Sequence, residues 1–513
     1  MIPVVATPDG TTTPGGALLV VALVLPVVAV LGGLVGGGRR AELLMRFCAP
    51  AGLAIALAIL IGVGQADHVL VYIVGNWAPP LGLALRADGF SAAMLLTTAT
   101  VMCAVTLYAP PALRTSPAAA ESRASYTFWV LMPALWAALN LVFLGGDLFN
   151  LYVALELLTF AAVPLACLDG GKAALTAAMR YLLFALIGSL LYLLGAGLIY
   201  GGYGTLDIAL LGKNVRAEPV AYVAATLMVA GLVAKTALFP LHLWLPPVYT
   251  AAPPAVAAML SGLVGKASFF LILRLWFNAM PGIFTPAASQ FLAVLGTVAI
   301  LFGGVMALRQ DRLKWLIAYS SVAQVGYLFL LFPLTDGAPQ PWTTAAWTGG
   351  LLQAISHALA KSSLFLAAGL IVETLGHDRI RDMAGVGRRL PLSAIAIGLS
   401  GLSLLGVPPS GGFAAKWLLL RAAIASGQWW WALVVLAGGL LAGAYVFRMI
   451  MPVMALVPPG AQQGMTPVTA VLRRRDIVVL SLALCSVLLG LVPLGSFGFL
   501  AIGQPVFSAA GIK

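Results

Sequence analysis

The sequence predicts an all-α polytopic membrane protein of about fourteen transmembrane helices. Three observations predict it. Of the 513 residues, 61% are hydrophobic and only 9% are charged, and the mean hydropathy is +1.03, far from the make-up of a water-soluble globular chain. Apolar runs of about 20 residues, the length that crosses a bilayer, recur along the chain and centre near residues 27, 56, 100, 137, 158, 189, 232, 266, 299, 325, 360, 408, 440 and 487. The connections are short, and no soluble domain of even about 50 residues fits between them.

Taken in order, the opening residues MIPVVATPDGTTTPGG carry no basic segment before the first apolar run. A cleaved signal peptide is therefore not expected, and the first helix stays. Between the second and third runs, HVLVYIVGNWAPPLGLALRADG holds two β-prone stretches around Asn76 to Pro80. It reads equally as a small external hairpin or as an ordinary loop. Two later runs contain helix breakers at depth. In LVAKTALFPLHLWLPPVYTAAPP, Pro240 follows Lys235 by five residues; in LSLLGVPPSGGFAAKWLLL, Pro408, Pro409, Gly411 and Gly412 precede Lys416. A broken helix leaves main-chain groups unpaired, which a bilayer tolerates only against protein or a hydrated cavity. Paired breaks in two halves of a chain point to an inverted-repeat transporter, whereas a single proline kink would mark ordinary packing.

The net charge of +12 needs no nucleic-acid partner. With the N-terminus threaded outside, 18 of the 28 Lys and Arg residues fall at the cytoplasmic side, among them Arg114, Lys172, Arg180, Arg312, Arg379 and Arg473 to Arg475. Arg86, Lys213, Arg216, Arg274 and Lys513 fall outside; the remaining five are four intramembrane lysines and Arg421. This asymmetry follows the positive-inside rule, places the chain in the cell membrane and puts both termini on the external side. Cys48, Cys103, Cys167 and Cys485 are scattered singly, with no CxxC, which argues against an iron-sulfur cluster, a structural zinc or a disulfide framework. His68, His242, His357 and His377 are equally dispersed. No cofactor and no metal are expected.

Five ionisable residues lie inside the apolar runs: Glu156, Lys235, Lys266, Lys361 and Lys416. Each costs roughly 2.5 to 3.5 kcal/mol at mid-helix, so such residues face the bundle interior and mark ion or proton paths. A lone mid-span carboxylate protonates unless a cation lies close, and Lys235 is the natural counter-ion for Glu156. Separating such a pair lets the lysine release a proton. Lys266 could accept next. His357 and Lys361, four residues apart, share a helix face, with Ser356 and Ser363 as candidate hydrogen-bond partners. Lys416 would end the path. Each of these side chains also has a bland reading as a snorkelling cation or a structural pair. Asp147, at the outer end of the Glu156 run, and His242, within the first broken segment, are secondary candidates; His242 could simply bond a freed carbonyl. The loop groups around Arg309 to Lys314 and RIRDMAGVGRR read as topology determinants.

At these residues the sequence resembles the antiporter-like subunits shared by Mrp-type cation/proton antiporters, respiratory complex I and membrane-bound hydrogenases. The matching pieces are GDLFNLYVALELL, AKTALFPLHLWLPPVYTAAPP, SGLVGKASFFLILR, ALRQDRLKWLIAYSSVAQVGY, HALAKSSLFLAAG and GVPPSGGFAAKW, in that order across residues 140 to 425. The resemblance implies three N-terminal helices with the hairpin in residues 1–110 and two inverted five-helix repeats in residues 128–278 and 289–453. It also implies broken helices 7 and 12, a last helix at 477–497, and a midplane proton path through Glu156, Lys235, Lys266, His357, Lys361 and Lys416. GDLFN with its glutamate, and lysine at position 416, are most similar to the D-type component of Mrp antiporters. ELLTFAAVPLACLDG departs from the usual Mrp continuation, and Gln324 stands where some complex I relatives have histidine.

The resemblance implies a proton-translocating subunit of a multisubunit monovalent cation (Na⁺)/proton antiporter, with other membrane subunits, protons and a monovalent cation as partners. The alternatives are a proton-pumping membrane-arm subunit of a complex I-like or hydrogenase-type oxidoreductase, or a proton-coupled subunit of an inorganic-carbon uptake complex. A membrane enzyme using Glu156 or Asp147 as general base would need several carboxylates or a metal set, and the acids here are isolated. An inert scaffold predicts that Lys235→Ala leaves transport unchanged.

Overall fold

The computed structural model describes residues 11–109, 122–336, 340–455 and 470–504. Arg114, Lys513 and both chain termini lie outside them. Among the described residues, twelve helices are long and apolar enough to cross a membrane. A thirteenth crossing is divided into Pro391–Leu405 and Gly411–Ala425, and Ala470–Leu488 supplies a fourteenth. The expected number is thus reached, with one crossing built from two short helices because Pro408 and Pro409 cannot donate to a helical ladder.

The stretch between the second and third helices is a hairpin: Leu70–Ile73 pairs antiparallel with Ala84–Ala87, Leu70 opposite Ala87. Its strand Leu-Val-Tyr-Ile is rich in β-formers and buries Leu70, Val71 and Ile73. The first two helices, Ala17–Gly36 and Gly38–Ala66, stay largely uncovered within the chain, with 28% and 33% of their most apolar windows buried. Pro254–Ala279 and Thr343–Leu375 reach 100% and 94%. These last two are the central helices, and they carry Lys266, His357 and Lys361.

Helix approach is set by small residues, as expected where lipid removes the hydrophobic drive between helices. Lys172–Tyr203 and Pro219–Thr236 cross at Gly188 and Gly231, where a Cβ on Gly188 would stand 2.7 Å from the Gly231 carbonyl. That crossing brings Ser189 and Lys235 to one level. Two isolated bridges tie loops at opposite ends of the bundle: Asp147 with Asp207, and Arg312 with Arg379. Each joins the start of one helix to the segment following the next one.

Candidate functional site

The first break falls after Thr236. Ala237 adopts a left-handed backbone (φ 60°), ending the helix that carries Lys235 in its last turn, and a four-residue 3₁₀ turn, Leu241–Trp244, leads into Leu245–Ala251. The carbonyl of Ala234 at the break accepts from the Ala237 N–H at 3.2 Å and from Trp244 Nε1 at 3.0 Å, so the segment beyond the break adds a second donor to it. Lys235, 7% exposed, donates to Thr159 Oγ1 at 3.2 Å, and its Nζ stands 3.6 Å from Glu156 Oε1. Glu156 also accepts from the Ser189 hydroxyl. The expected Glu156–Lys235 pair is therefore formed. Asp147 is instead the N-cap of Leu148–Ala166, accepting from Phe149 N at 2.9 Å and Asn150 N at 3.0 Å. Burial pushes its carboxyl above the ordinary range, opposed by the two capping N–H groups and assisted by the nearby charge of Asp207. His242 is buried against Phe239 (ring centroids 5.4 Å) and Phe302 (5.0 Å).

Lys266 sits two residues beyond a π-helical stretch, Leu260–Val264, and donates to the Ser261 carbonyl. A π-turn widens the helix and shifts its carbonyl register, a distortion frequent at functional sites. Across from it, Ser362 Oγ donates to Ala258 O at 3.0 Å and joins the two central helices. A small cavity of about 10 Å³ lies between Lys235, Thr159 and Tyr181 on one side and Val264 and Ser268 on the other, space for about one water at most.

Lys361 is fully buried and reaches across to the next helix, donating to Ile317 O at 2.9 Å and Ser320 Oγ at 2.5 Å. This corrects the expected partners. Ser363 Oγ donates to Val479 O, and the Ser356 carbonyl accepts from Ser486. Ser363 stands two residues from Lys361, about 200° around the helix, so the two side chains diverge. His357 is 2% exposed, and neither ring nitrogen has a hydrogen-bond partner among the described residues.

At the second break, Gly406 (φ 85°) ends Pro391–Leu405 and Ser410 caps Gly411–Ala425 by accepting from Phe413 N at 3.2 Å. Lys416 reaches back over the break: its Nζ donates to Leu404 O at 2.6 Å and Leu405 O at 3.3 Å, and it lies 4.3 Å from the Tyr327 ring centre. A cation suits these carbonyls because they form the negative end of the helix dipole. Gln324, which carried no assigned role in the sequence, shares the site. Its Nε2 donates to the same Leu404 carbonyl (3.0 Å) and to Tyr445 Oη (2.9 Å), while its Oε1 accepts from Gln353 (2.9 Å). The sequence signal for Gln324 and Gln353 was available: two amides deep in apolar runs must find partners.

The comparisons with known proteins bear on the family and the fold. Residues 145–442 match the family model described as NADH:quinone oxidoreductase/Mrp antiporter, transmembrane. The chain is 35% identical to the N subunit of NADH-quinone oxidoreductase from Desulforudis audaxviator, over 80% of this chain and 82% of that one. It is 32% identical to the D subunit of the Na⁺/H⁺ antiporter from Alkalihalophilus pseudofirmus, over 76% of each. Its fold superposes on a chain of the Mrp complex from a Dietzia species with a TM-score of 0.84 at 25% identity, covering 97% of this chain and 99% of that one. With the broken crossings, the buried lysines and more than half the chain matched, the protein belongs to the NADH:quinone oxidoreductase/Mrp antiporter transmembrane family.

Proposed function

We propose that this chain is a proton-translocating, antiporter-like subunit that works with other membrane subunits. The reading assigns it to an Mrp-type monovalent cation (Na⁺)/proton antiporter in the cell membrane, with both termini external. The observation that carries it is the set of four buried lysines, Lys235, Lys266, Lys361 and Lys416, with Lys235 held 3.6 Å from the Glu156 carboxylate. Ionisable side chains at this depth are costly and mark ion or proton paths.

In this reading Glu156 stabilises the ammonium of Lys235. When the pair separates, Lys235 gives its proton to the amine of Lys266. Lys266 passes it to a ring nitrogen of His357, which accepts on one nitrogen and donates from the other. Lys361 and then Lys416 receive it in turn. Residues 128–278 and 289–453 act as two inverted repeats; the bridges Asp147–Asp207 and Arg312–Arg379, at opposite ends of the bundle, support that division.

A second reading places the same subunit in the membrane arm of a complex I-like oxidoreductase, where redox chemistry elsewhere drives the protons. It is favoured by the 35% identity to an oxidoreductase N subunit. The test is to purify the native complex into vesicles and add Na⁺, K⁺ or Li⁺ across an imposed ΔpH. Cation-dependent dissipation of ΔpH supports the antiporter. No cation response, with acidification on adding an electron donor and acceptor, transfers the subunit to the oxidoreductase.

A further inference from the structure

Lys172, Arg180 and Arg312 line a groove of about 710 Å³ together with Thr250, Trp315 and Asp378. It opens at the start of helix Lys172–Tyr203, the end that the distribution of Lys and Arg assigns to the cytoplasm. Three cations share one carboxylate there, and Asp378 Oδ1 lies 3.8 Å from Arg312 Nε. The groove therefore carries a positive excess.

Its depth points to its occupant. The helix has 32 residues, a length of about 48 Å, and Arg180 lies eight residues in, about 12 Å from its start. The hydrocarbon core is roughly 30 Å thick. With the excess length divided between the two ends, Arg180 stands about 3 Å inside the edge of the hydrocarbon core, from where its long side chain reaches the level of the lipid phosphates. Below it the same face turns apolar and outward: Leu183 and Ile187 are each 56% exposed, and Leu243 of the first broken segment is 62% exposed. Trp315 stacks with Tyr319 at 6.1 Å, an aromatic pair of the kind enriched at the membrane interface. Guanidinium and ammonium groups bind phosphate oxygens through charge-assisted hydrogen bonds, and basic pockets between membrane helices suit anionic headgroups.

We propose that this groove binds the headgroup of an anionic phospholipid, whose acyl chains run along Leu183, Ile187 and Leu243. The test uses the delipidated native complex in detergent, titrated with phosphatidylglycerol or phosphatidylcholine, with bound lipid counted by native mass spectrometry. Wild type is expected to prefer phosphatidylglycerol. Arg180→Gln should weaken that binding about fivefold, and the triple variant Lys172→Gln/Arg180→Gln/Arg312→Gln on the order of a hundredfold. Arg180→Lys should retain it, and Lys213→Gln at the opposite end should leave it unchanged. Equal binding of both lipids, or an unaltered phosphatidylglycerol affinity in Arg180→Gln, overturns the proposal. So does competition by inorganic phosphate as effective as the lipid, or loss of a neighbouring subunit from the variants with lipid counts preserved, which would make the groove a protein contact.

Discussion

The two helix breaks meet the same problem with different counter-charges. At the first, Lys235 lies on the helix that breaks and faces a carboxylate, while the Ala237 N–H and Trp244 Nε1 both donate to the carbonyl of Ala234. At the second, Lys416 comes from the far side of the break and is itself the donor to the freed carbonyls of Leu404 and Leu405, with Gln324 as a second donor and Tyr327 beneath. The first lysine is held by a full charge that can be protonated. The second is held by dipoles that cannot. The pair at the first break can therefore change its net charge, whereas the environment at the second only tunes the affinity of one amine for its proton.

This difference orders the expected effects. Lys235→Ala should abolish proton movement in the assembled complex, because no ammonium then remains at the first break to carry a proton; pH-dye measurements in vesicles check it. Glu156→Gln should produce a similar loss, and the double variant should be no worse than either single one, since both act through one pair. Lys416→Met should also stop proton movement, but with little loss of complex stability, because Gln324 still donates to Leu404 O. If Lys416→Met dissociates the complex, the lysine is a structural plug for the break and the contrast between the two breaks fails.

Smaller effects sharpen the same contrast. Tyr327→Leu removes the ring under Lys416, an interaction of roughly 0.5 to 2 kcal/mol, and should slow proton movement by no more than about tenfold. Tyr327→Phe keeps the ring and loses only a hydroxyl that makes no hydrogen bond among the described residues, so it should match wild type. The smallest expected change is Asp147→Ala, which loses the cap of the Glu156 helix at about 1 kcal/mol. Asp147→Asn keeps the acceptor and should restore the thermal stability of the complex.

Much of this was legible in the residues because a charge in an apolar run is conspicuous and expensive. Glu156 and Lys235 follow directly from that cost, and so does their pairing; the two breaks follow from Pro240, Pro408 and Pro409, which cannot donate to a helical ladder. The partners of Lys361 do not follow. Serines on its own helix are near in sequence, but helical geometry turns Ser363 away, and the side chain bridges to Ser320 of another helix. Hairpin and loop are balanced in the sequence because eight strand residues carry too weak a pattern to decide; the pairing of Leu70 with Ala87 decides it. Neutral polar residues are the least visible. Gln324, Gln353 and Tyr445 form one connected group only because three helices converge at the second break. The pairing of buried Arg475 with Glu373, at 2.7 and 2.9 Å, spans 102 residues and likewise depends on the fold.

The most direct measurement is proton movement into vesicles holding the intact native complex, compared among wild type, Lys235→Ala and Glu156→Gln, with subunit content checked in each. The account predicts that both variants assemble fully and move no protons above the leak. Fully assembled variants that move protons at the wild-type rate would contradict it and leave the buried pair as a structural contact.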